Sequence, residues 1–339
     1  MKNKVLILYP LKNEPWGGGN NFLYFLRDQF IRKKVYTKSL IRASAVIINS
    51  HQITKKEVMI LFFWKLLNPK KVIIHRLDGP ISFHRPYSNT DVFISRVNKL
   101  ISDGNIFQTS WSKNKNFALV GISPNIQNTV IHNEANFEIF SHSRIRVVAK
   151  KIRLVTSSWS MAEKKGFKTY KFIDDNLDFQ KYEYYFIGNS PLKFKNIKML
   201  GVMGKFELSS FLKDCDFFIS ASEDEPCSNS LIEASQCGLS ILTHNSGGSP
   251  ELVKDGDFIF SSKEELLQIL QNHDHMRMSR LEKQKIPIVK RQDASNQYIK
   301  FISKVLNDKK GRSFIGLYIN IFCRLIRHYF NKSEKFKEC

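Results

Sequence analysis

Short apolar runs recur along this chain, and stretches of helical periodicity separate them. Lys4–Tyr9 is nearly all apolar. Gly17-Gly18-Gly19 follows it, and then Phe22, Phe25, Leu26 and Phe30 at helical spacing. That order predicts strand, glycine turn, helix. Ala45–Ile48 and Val72–Ile74 read as two more strands, with a helix over Ile53–Leu67 that Pro69 stops. Val92–Ser95, Ile106–Thr109 and Thr129–Ile131 read as the remaining strands of a first series. A second series has strands at Ile152–Ser157, Tyr184–Ile187, Ile197–Leu200, Phe217–Ser220 and Ser240–Thr243. Its helices are expected at Phe167–Asp175, Leu208–Asp214 and Asn229–Cys237. Strands that are apolar throughout are covered on both faces. Alternating with helices, they form parallel sheets of βαβ units.

The expected fold is therefore α/β, with two Rossmann-like domains whose parallel sheets face a central cleft. A chain of 339 residues holds two such domains comfortably. The first is expected over residues 1–140 and the second over 152–290, joined by a basic linker at 141–151. A helix in 291–310 is expected to return to the first domain, and residues 311–339 form a basic amphipathic tail.

The formal charge of +22 favours anionic surroundings: nucleic acid, an anionic membrane surface or phosphate-bearing substrates. Abundant lysine and asparagine throughout account for part of it. No nucleic-acid reading module is recognisable, so a nucleic-acid partner is not expected. Five cysteines are present with no zinc-site spacing, which suits reduced thiols and a cytoplasmic protein. The greasiest run, Val58–Leu67, is about half the length of a membrane span and contains Lys65. The tail over Ser313–Phe330 is different. Asn320, Arg324, Arg327 and Asn331 form a narrow polar stripe on an otherwise apolar helix, and Lys332, Lys335 and Lys337 follow. Such a helix either packs on the protein or lies in an interface, and the basic end favours the inner face of a plasma membrane.

Chemistry concentrates after the strand Phe217–Ser220, where Glu225-Pro-Cys-Ser-Asn-Ser-Leu-Ile-Glu233 stands. Ligands of open parallel sheets sit at the carboxyl ends of the strands. Ser228 is placed to cap the helix that follows, and Gly238 to end it. The amides near Cys227, Ser228 and Asn229 then make a phosphate site at a helix N-terminus. Glu225 and Glu233 would repel a diphosphate, so they suit hydroxyl groups, on a transferred sugar and on a ribose.

These residues resemble the retaining glycosyltransferases of family 4, which have the GT-B fold. Glu225 and Glu233 match the family's Glu-x7-Glu. Ala234–Gly238, Ser246–Glu251, Lys164-Lys165-Gly166 and Val130–Asn133 match further segments in the same order, over about residues 1–305. The resemblance implies that Glu225 meets the transferred sugar and that Glu233 holds the ribose. It implies that Lys165, with Lys164, neutralises the departing diphosphate. Gly17, Gly18 and Gly19 would let backbone approach the phosphates, and Gly188 with Asn189 and Gly201–Lys205 would border the base. The partners implied are a nucleotide-diphosphate sugar and a glycan or lipid-linked acceptor. No cofactor or metal is implied, and neither Asp214-Cys215-Asp216 nor Asp255-Gly256-Asp257 is well placed to hold one.

Two departures stand out. Trp159 occupies the position of the family's arginine, and the family's first-domain histidine has no secure match. The nearest segment is His75-Arg76-Leu77-Asp78-Gly79-Pro80, from which Arg76 and Asp78 are taken as site residues. The expected function is transfer of a sugar in bacterial surface polysaccharide synthesis (lipopolysaccharide, O-antigen or capsule). The alternatives are an inactive GT-B scaffold or a GT-B sugar-nucleotide epimerase or hydrolase.

Overall fold

A computed structural model describes residues 3–12, 18–83, 85, 87–142, 150–276, 278–279 and 293–333. The chain groups into two compact units. One comprises Met1–Leu11, Leu23–His132 and Asp293–Cys339, the other Lys12–Phe22 and Asn133–Gln292. Gly17 and most of the 141–151 segment lie outside the described residues.

The first unit holds a five-stranded parallel sheet in sequential order: β1 (Val5–Leu8), β2 (Ala45–Asn49), β3 (Val72–Leu77), β4 (Gly104–Phe107) and β5 (Gln127–Val130). Among the described residues, the outer edge of β1 meets a single bridge, from Val5 to Tyr36. Every crossover from β2 onward moves in the same direction. Right-handed connections therefore bring the intervening helices to one face. These are α2 (Lys55–Leu67) and α3 (Thr90–Ile101). Ile73 and Ile48 pack into that layer with Leu61, Phe62, Val97 and Leu100. The neighbouring residue Ile74 points the other way, and with Phe301 and Val305 of α9 (Ala294–Lys310) it crowds Gly104. α1 (Gly18–Arg32) ends beside α9, where Lys33 donates to Asp293 at 3.3 Å. The last helix, α10 (Phe314–Ser333), adds Ile321 to the α2–α3 core.

One strand expected from sequence is a helix. Val92–Ser95 lies inside α3, because Ile94, Val97, Asn98, Leu100 and Ile101 are buried at helical, not alternating, spacing. The strand expected to run to Thr109 stops at Phe107, because Thr109 accepts from the Ser112 amide and caps α4 (Ser110–Lys115). A five-residue π-turn over Asn116–Val120 continues α4 and was not foreseen.

The second unit holds a six-stranded parallel sheet. Its strands are β6 (Ile152–Ser158), β7 (Tyr182–Gly188), β8 (Lys198–Gly201), β9 (Phe217–Ser220), β10 (Ser240–His244) and β11 (Phe258–Phe260). The order is β11-β10-β9-β6-β7-β8, so the direction of winding reverses between β6 and β9. Both faces are covered. Leu154 packs with Phe167, Tyr170 and Ile173 of α5 (Phe167–Asn176) and with Leu266 and Leu270 of α8 (Lys263–Gln271). The adjacent Val155 packs on the other face with Leu212 of α6 (Lys205–Lys213) and with Leu231 and Ala234 of α7 (Asn229–Gln236).

Candidate functional site

A reversal of winding opens a crevice at the carboxyl ends of the two strands that flank it, since their connections leave in opposite directions. In the second unit those strands are β6 and β9. Their ladder pairs only Leu154 with Phe217 and Val155 with Phe218. Beyond it the Thr156 hydroxyl donates to the Ile219 carbonyl at 2.6 Å.

The loop after β6 reaches a short 3-10 turn, Glu163–Lys165, that ends at Gly166 with φ of 80°. A Cβ at Gly166 would lie 2.3 Å from the Ala221 carbonyl oxygen, so only glycine lets this loop press against the one after β9. The Ala221 amide donates to the Tyr170 hydroxyl at 2.9 Å, and the Glu223 amide to the Lys164 carbonyl at 2.8 Å. Both loops are thereby fixed, and two ion pairs span them. Lys164 meets Asp224 at 2.5 Å, and Lys165 Nζ donates to Glu225 Oε2. Burial alone would push the Lys165 ammonium down. The Glu225 carboxylate outweighs it and holds the lysine above its usual range, so it stays a cation.

The loop after β10 clamps Glu225 from the other side. The Gly248 amide donates to the Glu225 carbonyl at 2.8 Å, and Ser246 Oγ accepts from the Asp224 amide at 3.0 Å. Gly247, with φ of 69°, leaves room only for a hydrogen where a Cβ would sit 2.5 Å from the Glu225 carbonyl oxygen. This is the segment Ser246–Glu251 singled out in the sequence.

α7 begins here. Ser228 is its N-cap and accepts from the Leu231 amide at 3.3 Å. The Cys227 side chain is buried in the core beneath the helix, so what it offers a ligand is backbone. The Asn229 side chain accepts from Asn133 Nδ2 at 3.1 Å and covers Gly18, where a Cβ would lie 2.3 Å from its amide nitrogen. Gly19 has open space where a Cβ would be. Gly188, with φ of 105°, ends β7 where a side chain would strike the Ser158 carbonyl at 2.1 Å. Trp159 stands nearby, 48% exposed, its carbonyl accepting from Asn189 Nδ2 at 3.1 Å.

Glu233 lies just over one turn along α7. Its side chain is half-buried, the carboxyl is enclosed by protein, and no cation pairs with it among the described residues. Desolvation lifts its pKa to about 8. An enclosed acceptor without a positive partner suits neutral hydroxyl donors.

In the first unit the carboxyl edge of the sheet carries Asp78. It accepts from Arg76 Nη1 at 3.0 Å and from Gln108 Nε2, and its carbonyl accepts from Asn116 Nδ2 at 2.7 Å. Arg76 is fully buried, and its Nη1 also donates to Asn49 Oδ1 at 2.5 Å. Arg76 thus braces the Asp78 turn from within. His75 is buried and neutral: burial drives its pKa to about 4, and its ring nitrogens meet the Ser50 carbonyl at 3.0 Å and Asn98 Nδ2 at 3.1 Å. Burial also raises the Tyr9 pKa and lowers that of His51, with the Asp78 charge acting on both. Neither Tyr9 nor His51 was picked out from sequence. Tyr9 directly follows β1 and His51 comes two residues after β2, and that position was the available signal.

The second carboxylate of each Asp-x-Asp segment serves backbone. Asp216 Oδ2 accepts from the Arg153 amide at 2.9 Å, and Asp257 Oδ1 from the Ile241 amide at 2.8 Å. Among the described residues no cluster of metal-ligating side chains is present.

Residues 186–281 match the family model described as glycosyl transferases group 1. No curated protein matches the sequence. Solved structures share the two-sheet architecture, which is the GT-B fold. HepE from Anabaena, in complex with UDP and glucose, superposes with a TM-score of 0.66 at 13% identity, over 91% of this chain and 100% of its own. Starch synthase IV from Arabidopsis thaliana, bound to ADP and acarbose, gives a TM-score of 0.57 at 11% identity, over 87% and 80% of the two chains. Sucrose-phosphate synthase from Thermosynechococcus elongatus gives 0.54 at 12% identity, over 95% and 82%. The chain thus combines a GT-B fold with a glycosyl transferases group 1 segment that contains Glu225, Glu233 and the loop after β10.

Proposed function

We propose that the protein is a retaining glycosyltransferase that moves a hexose from a nucleotide diphosphate to a glycan or lipid-linked acceptor. The observation that carries this is the grouping of Lys165, Glu225 and Glu233 around the start of α7, at the reversal point of the second sheet.

The chemistry follows from the charges. Departure of a diphosphate gathers negative charge, and prepositioned donors stabilise it best. Lys165 stays charged and lies at the end of a short tether, and the first amides of α7, at Asn229 and Ser230, have no intrahelical acceptors. A diphosphate at that helix start draws Lys165 away from Glu225. The released Glu225 carboxylate then accepts from sugar hydroxyls beside the anomeric carbon, which develops oxocarbenium character as it does in glycoside hydrolysis. Glu233 takes the ribose hydroxyls. With the diphosphate neutralised by Lys165, Lys164 and backbone, the step needs no metal. Retention, by attack on the face the diphosphate leaves, rests on the resemblance to family 4.

UDP-glucose is the first donor to test, because HepE is described in complex with UDP and glucose. The setting proposed is bacterial surface polysaccharide synthesis. Thermal shift of the full-length protein against UDP, GDP, ADP and their hexose conjugates tests the donor site, with Glu233→Ala alongside. Binding to the native state raises the melting temperature. A shift with one nucleotide family, diminished in the variant, supports the reading. No shift with any of them sinks it.

A further inference from the structure

The two outer helices of the first unit are amphipathic the wrong way round for water. In α10 Arg324 of the polar stripe turns inward, while Asn320 stays exposed. Arg324 Nη1 donates to the Ser102 carbonyl at 2.5 Å and stands 3.7 Å from Asp103 Oδ1, while Leu317 and Ile321 are buried beside it. The outward side is apolar: Ile315 is 74%, Ile319 57% and Phe322 63% exposed, with Tyr318, Leu325 and Ile326 next to them. At helical pitch these six fall within an arc of about 120°.

α2 repeats the inversion. Lys65 is buried, donating to the Ile101 carbonyl at 2.8 Å and to Asp103 at 2.6 Å, whereas Phe63 is 53% and Leu67 80% exposed, in line with Met59 and Ile60. A helix apolar on both sides, with cations pointing inward, is not built to face water. The inward cations of the two helices meet on one carboxylate, Asp103, which Lys309 also reaches at 2.7 Å. α2 and α10 are therefore fastened at a shared point, both outside the same face of the sheet. Both helices pack on α3, and each leaves an apolar stripe exposed.

Its surroundings are basic. Lys55, Lys56, Lys70, Lys71, Lys310 and Arg312 flank the two helices, and no acidic residue occurs from Lys309 to Ser333. No described helix is long and apolar enough to cross a membrane. An apolar stripe rimmed by cations matches the boundary between acyl chains and anionic headgroups. The geometry points to this α2–α10 face as the seat on which the protein rests on an anionic lipid bilayer.

The inference does not rest on the donor site, which is measured separately on the same samples. Full-length protein is sedimented with vesicles of phosphatidylcholine containing one third phosphatidylglycerol, and with vesicles of phosphatidylcholine alone. Phe63→Glu, Phe322→Glu and the double variant are compared with wild type. Both side chains are exposed, so melting temperature and UDP response should be unchanged. If a glutamate variant melts low, Phe63→Gln and Phe322→Gln replace it. Wild type should partition onto the anionic vesicles, and the double variant about tenfold less, each single variant lying between. Three results overturn the inference: no wild-type partitioning, double-variant partitioning equal to wild type, or a wild-type dimer in light scattering that the same substitutions dissociate. The second would mean that net charge alone binds lipid, the third that the face joins two copies of the chain.

Discussion

Glu233 is held where its charge costs stability. An unfolded glutamate releases its proton near its ordinary value of 4.5, but in the fold the proton stays until about pH 8. Between these values the folded state binds more protons than the unfolded one, so stability falls as pH rises through that window. Glu233→Gln removes the slope. The variant should match wild type near pH 5 and exceed it by about 1–2 kcal/mol at pH 8, a range reduced for the water that reaches this half-buried side chain. Urea unfolding at both pH values measures the difference. The same variant should bind UDP more weakly, since an amide nitrogen replaces one of the two carboxyl oxygens offered to the ribose. Lys165 has the opposite character, because its charge is matched by Glu225. Lys165→Ala should lower kcat by about 10²–10³-fold while the protein still folds, the usual consequence of removing one group that stabilises developing charge. Turnover of UDP-glucose by the purified variant checks it. The two glutamates and the lysine were legible in sequence as separate residues, through spacing and motif order. Their pairing was not, because the contact between Lys165 and Glu225 depends on Gly166 and Gly247 bringing three loops together, and no local pattern encodes that distance.

Elements were readable where apolar periodicity was strong and misread where a short apolar run was all there was. Phe217–Ser220 is found as a strand with the same bounds, whereas Val92–Ser95 belongs to a helix. A run as short as Val92-Phe93-Ile94 fits either period, and the tie is broken by Asp91, whose carboxylate accepts from the Ile81 and Ser82 amides and anchors the start of α3. That bond is tertiary and leaves no mark in the run itself. The start of α7, by contrast, carries its own signal in Ser228. Ser228→Ala should cost about 1 kcal/mol through loss of the N-cap. If the helix start holds a diphosphate, UDP should weaken as well, while a uridine control without phosphates stays unaffected by the substitution. Equal effects on both ligands would place the diphosphate elsewhere. Thermal denaturation and a titration of each ligand on the one variant separate the two outcomes.

At the scale of the molecule the +22 charge is not only a surface property. Three cations from three helices, Lys65, Lys309 and Arg324, converge on the buried carboxylate of Asp103. This could not be read from sequence, where Lys65 merely interrupts a greasy run. Burial is the main force on Lys65, and with Arg324 and Lys309 it outweighs the attraction of Asp103, bringing the lysine from 10.5 to about 7. Burial would raise Asp103, but the cations overcome it and hold the carboxyl near 2, so the acid stays ionised. From pH 7 to 10.5 the unfolded chain therefore binds a proton that the folded protein has released, and stability rises with pH across that window. Lys65→Met keeps the hydrocarbon stem and leaves Lys309 and Arg324 to satisfy Asp103. It should flatten the rise and leave the protein as stable as wild type, or about 1–3 kcal/mol more stable, at pH 7, because replacing a buried charge while its partner stays paired is commonly neutral or favourable. Near pH 10 the two proteins should converge. Asp103→Asn should behave oppositely, losing about 3–5 kcal/mol as three cations are left without a carboxylate. Urea unfolding of the full chain at pH 7 and pH 9.5 resolves both. Saturating UDP should leave the Lys65-dependent difference unchanged, because Lys65 and Asp103 belong to the first unit and Glu233 to the second. A difference that shrinks when UDP is added would instead mean that the donor site and the buried charge cluster are energetically coupled.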